Sequence, residues 1–292
     1  MDAVITYVNG LDPVWQAEYE KAVGPLPLQK RFRDWGTLKY LLRGISDCLP
    51  FIDKVFLIVS SDSQVPSWAD RKNLRVVLHK DIIPAELLPT FNSCTIEMFL
   101  HRIPGLSEEF LYFNDDMFPL SPCDREDFFR DGKGLIGISR HIYAGNIFKK
   151  NCKVSSNLAL KALGKRKRPY FIRPQHICSP MLVSSGKEAF SALENEILAS
   201  CSRTRSKDNP NQYLFLDYMY FSGKLVPRRI SKMHISQGVW PGEKIAGYIK
   251  NPKTKFACIN DVEMPEGKYV QMRKVILDAF EERFPDKSRF EL

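Results

Sequence analysis

Residues 108–118 read EEFLYFNDDMF. An apolar, aromatic run climbs into Asn114, Asp115 and Asp116, and apolar residues resume at once. Such a run reads as a buried strand that the polar triplet brings to an end. Similar segments recur upstream. AVITYV (3–8) is closed by the turn residues of NGLDP, DKVFLIVSS (53–61) is a continuous apolar run, and LRVVLHKDII (74–83) is a further strand. Between them, DWGTLKYLLRGISDCL (34–49) has Leu38, Leu41, Leu42 and Ile45 at helical spacing. SCTIEMFLHRI (93–103) also reads as a helix, with Ser93 or Thr95 near its start. The order β-α-β-β-α-β predicts an α/β domain with a mainly parallel sheet. Ligands of such sheets sit beyond the C-terminal ends of the strands. Asn9, residues 60–62 and residues 114–116 fall on that edge.

Two adjacent carboxylates at a buried strand end repel each other and are costly to desolvate. A divalent cation bridging to diphosphate oxygens removes both costs. An Asx turn or a helix N-cap is the alternative for the pair.

The 292 residues are 44% hydrophobic and 26% charged, which suits a globular chain with a sizeable core, as one large domain or two small ones. No apolar run reaches the ~20 residues of a membrane span. MDAVITYVNG has an acid at position 2 and no basic n-region, so it does not read as a secretory signal. Cys48, Cys94, Cys123, Cys152, Cys178, Cys201 and Cys258 show no CxxC spacing, which speaks against a zinc ribbon or redox motif and fits a reducing cytosol. The net charge of +9 points to an anionic partner. KALGKRKRPYF gathers Lys161, Lys165, Arg166, Lys167 and Arg168, either as a solvated loop or as a docking patch for a membrane face or an anionic acceptor. The basic residues are otherwise spread along the chain without a nucleic-acid motif, so no nucleic-acid partner is expected.

The second half is less regular. A loop with a helix around NLALKALG is expected within 141–172, and helices over 185–200, 211–223 (stopped by Gly223) and 268–285 (ended by Pro285). Hinges would fall near 145–170 and 202–211. Residues 1–140 then read as an α/β core, and residues 141–292 as a mostly helical part packed on it.

Four blocks carry a resemblance. The first is DAVITYVNGLDP (2–13). The second opens with RFRDWGTLKYLLRGI (31–45), continues through KVFLIVSSDSQVPSW (54–68) and closes with LPTFNSCTIEMFLHRIPGLSEEFLYFNDDMF (88–118). The third is RPQHICSPML (173–182) with RTRSKDNPNQYLF (203–215). The fourth is NPKTKFACINDVE (251–263), before a terminal helix and FPDKSRFEL. In this order they resemble the Stealth family of hexose-1-phosphate transferases. That family includes bacterial capsule-polymer phosphotransferases and the α/β subunit of the lysosomal-enzyme GlcNAc-1-phosphotransferase. The first block has YVNG where the family usually has WVDG or WVNG, and an insertion-like DNP follows Arg205.

The resemblance implies a GT-A-like fold, a mostly parallel sheet with helices on both faces and a helical C-terminal part, with residues 1–140 as the nucleotide-sugar-binding core and residues 141–292 completing the active and acceptor sites, the two packed as one catalytic unit. It implies a UDP-sugar donor such as UDP-GlcNAc, Mg2+ or Mn2+, and transfer of the sugar with its inner phosphate to a hydroxyl of a glycan or lipid-linked polysaccharide, releasing UMP. A cytoplasmic setting with peripheral contact at the inner membrane goes with that role. A glycosyltransferase of the same fold, releasing UDP, is the alternative. The family pattern puts Asp115 and Asp116, with Asn114, at the metal or diphosphate. It puts His176 in the active centre as base or transition-state donor, and Arg205 on the transferred phosphate. Asn92 and Glu97 would line the donor or acceptor pocket, with His101, four residues on from Glu97, orienting them. Thr6, Asn9 and Gly10 would lie where base and ribose bind, Gly10 allowing close approach. Arg33 and Asp34 read as a donor-site ion pair, or Asp34 as a helix N-cap. Asn260 and Asp261 would complete the site, or form a plain turn after a strand.

Overall fold

The computed structural model describes residues 1–25 and 32–292, so Arg31, which opens the second sequence block, lies outside the described residues. The chain begins with β1 (Asp2–Thr6), α1 (Pro13–Val23), α2 (Leu38–Cys48), β2 (Val55–Val59) and β3 (Leu74–Leu78). It continues through α3 (His79–Ile82), α4 (Ser93–Glu97), β4 (Glu109–Asn114), β5 (Met117–Pro119), β6 (Phe129–Arg130), β7 (Lys133–Ile136) and β8 (Ile138–His141). Next come α5 (Ile147–Ala162), β9 (Phe171–Pro174), β10 (Ser179–Leu182), α6 (Val183–Ala192), α7 (Glu194–Ser200) and α8 (Tyr213–Ser222). The last elements are β11 (Leu225–Pro227), β12 (Lys232–Ser236), α9 (Gly242–Lys250), β13 (Phe256–Asn260) and α10 (Glu266–Arg283). The fold is α/β, as the alternation of segments predicts, and GT-A-like, as the resemblance implies, but with mixed rather than mainly parallel sheets. Two compact units interleave along the chain: residues 1–2, 77–112 and 126–229 form one, and residues 3–76, 113–125 and 230–292 the other.

In the second of these units, β1 and β2 run parallel, in register from Ala3↔Val55 to Thr6↔Ile58. Every residue of β2 is buried, which is why its sequence is an unbroken apolar run rather than an alternating one. A smaller sheet pairs β12 and β13 parallel, with β5 antiparallel on β13. The α2 helix buries Leu38, Leu41, Leu42 and Ile45, the stripe its spacing predicts. The same helix buries Arg43, which sequence periodicity would put at the surface. Its guanidinium makes a bidentate pair with Glu291 at 2.9 and 2.8 Å, bonds Glu281 at 3.2 Å and donates to the Phe284 carbonyl at 2.7 Å. One cation thereby ties α2 to the end of α10 and to the C-terminal residues.

In the first unit, β10 pairs antiparallel with β4 across Ser179↔Tyr112 to Leu182↔Glu109, and β8 pairs antiparallel with β9. The α5 and α8 helices pack on each other, and α8 stops at Gly223 in the left-handed conformation (φ 81°), as expected.

Three segments depart from the sequence reading. Residues 93–103 are not one helix. After Glu97 the backbone tightens to i→i+3 bonds (Met98 N to Thr95 O, Phe99 N to Ile96 O), and Leu100–Arg102 is a 3₁₀ turn. Met98, Phe99 and Leu100 are all buried, so there is no solvent face to favour a regular amphipathic helix. Residues 185–200 break at Leu193 (φ −132°, ψ 18°), whose side chain is fully buried. The strand from Leu74 ends at Leu78, and His79–Ile82 forms a helical turn with both end residues buried.

Arg43→Ala leaves the Glu291 carboxylate, itself only 5% exposed, without its cation. A loss of about 3–5 kcal/mol is expected in chemical denaturation. Arg43→Met with Glu291→Leu is expected to recover a large part of it.

Candidate active site

In the second unit, β4 ends at Asn114 and the chain turns through Asp115 and Asp116 into β5. The Ile259 amide donates to the Asp116 carbonyl at 2.9 Å, and the Cys258 thiol donates to Asp116 Oδ2 at 3.2 Å. The strand after the turn therefore pins the acidic pair against β13. Burial, then the neighbouring carboxylates Asp116 and Asp34, push the Asp115 carboxyl up to about 7. Burial and the Asp116 charge also raise the Cys258 thiol well above its ordinary value, so it stays a protonated donor.

The Tyr7 phenol is hydrogen-bonded to Asp34, and burial with the charges of Asp34 and Asp115 raises it further. Asp34 does not cap α2: its Oδ1 accepts the Gly36 amide at 2.8 Å in an Asx turn, while Thr37 occupies the helix N-cap. The Tyr269 hydroxyl donates to the Asp34 carbonyl at 2.6 Å. Arg33 lies 4.5 Å over the Tyr269 ring and makes a long contact (3.5 Å) with the Met264 carbonyl. Its Nε and Nη1 are buried without a hydrogen-bond partner. The nearby Trp35 indole and the Arg33 charge both act on Asp261, yet neither of its buried carboxylate oxygens makes a hydrogen bond of good geometry, and nor does Asn114 Oδ1. Burial raises the Asp261 carboxyl. Asn260, the last residue of β13, donates to the Asp261 carbonyl at 3.1 Å.

At the end of β1, Thr6 pairs with Ile58. The Asn9 amide donates to Gln64 Oε1 at 2.7 Å, and Gln64 Nε2 returns to the Asn9 carbonyl at 3.1 Å and to Asp12 at 2.7 Å. Gly10 is required by a close approach of the chain to itself. Its amide donates to the Phe32 carbonyl at 2.7 Å, and a Cβ would sit 2.3 Å from that oxygen. A cleft of about 400 Å³ is lined by Tyr7, Asn9, Asp34, Gly36 and Gln64 among others.

The first unit gathers the other expected residues. Asn92 caps α4 by accepting from the Cys94 amide at 3.1 Å, and its Nδ2 reaches Asn209 Oδ1 at 3.1 Å and the Ser202 and Thr204 carbonyls. Asn92 thus fastens the loop that carries Arg205. Arg205 is half-buried and donates to Ser93 Oγ, whereas Arg203 is exposed. Glu97 is buried. It accepts the Gln212 amide at 2.7 Å and the Tyr112 hydroxyl at 3.4 Å. Burial pushes its carboxyl up to about 7, against the pull of Arg205. His101 is not stacked above Glu97. It packs against Phe190 (4.9 Å between ring centres) and Phe215, and burial depresses it to about 4, so it is neutral near pH 7. His176 Nδ1 lies 3.1 Å from the buried Tyr213 hydroxyl, with Phe148 edge-on to the ring.

Tyr7, Gln64, Cys258, Gln212 and Tyr213 escaped the sequence reading. Each lies one to five residues from a residue that was singled out, or inside a quoted block, but none has a spacing that marks it.

The carboxylates suit a divalent cation. Orphaned buried oxygens on Asn114 and Asp261 beside a carboxyl raised by like charges are a set of hard donors short of a positive partner. Asp115 and Asp116 would hold Mg2+ or Mn2+.

Residues 31–136 match the family model of Stealth protein CR2, conserved region 2. Over its whole length the chain is 30% identical to the capsular polysaccharide phosphotransferase WcwK of Streptococcus pneumoniae, covering 99% of that protein. It is equally similar, at 30% over the whole chain and 99% of the relative, to the receptor polysaccharide phosphotransferase WefC of Streptococcus oralis. It is 28% identical to the exopolysaccharide phosphotransferase cps2G of Lactiplantibacillus plantarum, over 100% of this chain and 96% of that one. Fold and relatives together define an enzyme of the transferase class. The chain belongs to the Stealth family.

Two outcomes are expected. Millimolar Mg2+ raises the thermal midpoint, more at pH 8 than at pH 6 because Asp115 must lose its proton to bind, and Asp115→Asn with Asp116→Asn abolishes the shift. For Glu97, the native carboxyl holds its proton to about pH 7 and the unfolded one only to the ordinary value of 4.5. Stability therefore falls as pH rises between these values, by about 3 kcal/mol at most. Glu97→Gln is expected to flatten that part of the stability profile.

Proposed function

We propose that the protein transfers a hexose-1-phosphate, such as GlcNAc-1-phosphate, from a UDP-sugar to a hydroxyl of a glycan or lipid-linked polysaccharide. The reaction belongs to the synthesis of capsular or other cell-surface polymer, in the cytoplasm. The relatives named as capsular and exopolysaccharide phosphotransferases support the reaction class. The observation that carries the donor assignment is the pairing of buried, unpartnered donors on Arg33 with buried, unpartnered oxygens on Asp261 and Asn114. A nucleoside diphosphate with its cation supplies the opposite charge to each.

The acceptor oxygen forms a bond to the phosphorus next to the sugar. The bond from that phosphorus to the oxygen bridging the two phosphates breaks, and UMP leaves with the bridging oxygen. The hydroxyl proton passes to His176, whose ring the Tyr213 hydroxyl orients through Nδ1. Arg205, steadied by Ser93, neutralises the transferred phosphate. The divalent cation, when bound at Asp115 and Asp116, offsets the charge of the diphosphate. Arg33 neutralises the donor from its perch on Tyr269. Thr6, Asn9 and Gly10 hold base and ribose, and Asn92, Glu97, Asn260 and Asp261 shape the pocket.

Incubation with UDP-sugars, Mg2+ and acceptor fragments, followed by nucleotide chromatography, is expected to yield UMP only when acceptor is present. His176→Ala is expected to lower turnover about 10²–10⁴-fold, and Asp116→Ala by a similar factor. UDP as the released nucleotide would make the protein a glycosyltransferase of the same fold.

A further inference from the structure

Between Gly132 and Lys187 the sequence has no Asp or Glu, against twelve Lys and Arg. That leaves 31 basic against 34 acidic residues in the rest of the chain, so the whole excess of positive charge belongs to this one stretch. The stretch lies within the first unit. The fold concentrates it further. His141 at the end of β8 pairs with Phe171 at the start of β9, which sets the loop after β8 beside the loop before β9. The loop before β9 carries Lys165, Arg166, Lys167 and Arg168, all exposed. The loop after β8 carries Ile142 and Tyr143, which are 80% and 78% exposed. Arg140 and Arg168 both lie over the Tyr170 ring, at 5.0 and 5.7 Å, so the two loops share one cationic, aromatic centre. Arg168 also donates to the Tyr170 hydroxyl at 2.6 Å.

We propose that the paired loops 142–146 and 163–170 form a membrane-docking surface that takes an anionic phospholipid bilayer. Lys165, Arg166, Lys167, Arg168 and Arg140 attract the headgroups, and Ile142 and Tyr143 enter the interface. Charge alone would serve a soluble anionic polymer equally well. The two large apolar side chains at the loop tip distinguish a bilayer, because a polymer in water gains little from burying isoleucine, whereas a headgroup layer accepts isoleucine below it and tyrosine within it. A single weak anchor is marginal, and a basic cluster beside a short apolar wedge gives two signals that add. Membrane contact would bring the enzyme to lipid-linked polymers, but the contact itself involves no substrate.

The full chain is tested by co-sedimentation with phosphatidylcholine vesicles, with and without phosphatidylglycerol, at 0.1 M salt and without nucleotide. Binding is expected only to the anionic vesicles. Arg166→Glu with Lys167→Glu is expected to weaken it at least tenfold. Ile142→Ser with Tyr143→Ser, which leaves every charge in place, is expected to weaken it severalfold. Circular dichroism of each variant checks that the fold is kept. Absence of vesicle binding overturns the proposal. So does binding that ignores the Ile142/Tyr143 pair, or capture by soluble polyphosphate with no affinity for vesicles, which would mark the surface as a polymer site. Because nothing is turned over, the outcome is separate from that of the transfer reaction.

Discussion

Charge repulsion at the end of β4 is the constraint on which the catalytic account rests. A strand core of buried aromatics delivers Asp115 and Asp116 to the rim of the second unit, and the return into β5 holds them there. Asp116 is held in place, because the Ile259 amide of β13 bonds its carbonyl and the Cys258 thiol donates to one of its carboxylate oxygens. Asp34 and Asp261 add like charge from the same unit. Carboxyl groups gathered so closely are offset most readily by a cation that arrives with a ligand. Arg33, held over Tyr269 with donors to spare, marks the opposite pole of the same demand.

The two units handle buried charge differently. In the second, Arg43 is satisfied by Glu291, Glu281 and a backbone carbonyl, so its network is structural and complete. Asp261 and Arg33 are left incomplete, and incompleteness is what a binding site shows before its ligand arrives. In the first unit, Asn92 and Glu97 both bond the 202–212 segment, which fastens the loop that carries Arg205. Asn92 bonds across more than a hundred residues of sequence to hold that loop.

Strands β1 to β4, their order and the acidic turn were legible because each rests on local pattern: apolar runs of strand length, turn dipeptides, and polar residues at strand ends; the short strands β5 to β12 carry no such pattern. The α8 stop at Gly223 was legible for the same reason. What pattern could not give was anything set by partners distant in sequence. Arg43 falls off the apolar stripe of its helix and reads as a surface residue until Glu291 is seen opposite it. Gly10 reads as a turn glycine, yet its need comes from the Phe32 carbonyl. The Glu97/His101 spacing suggests one helix face, but full burial of the intervening Met98–Leu100 tightens the backbone and sends His101 toward Phe190. The family resemblance singled out His176 and Arg205. Spacing alone left them among ordinary loop residues, and it gave no hint of Tyr213 or Ser93 beside them.

The proposed transfer breaks a P–O bond of the bridge between the donor's two phosphorus atoms rather than the bond between sugar and phosphate. A UDP-sugar labelled with ³²P at the phosphorus next to the sugar reads this directly. The account expects the label to move into the polymer and to stay there through phosphatase treatment, as a phosphodiester. Label that remains in the released nucleotide, with sugar alone in the polymer, would contradict it.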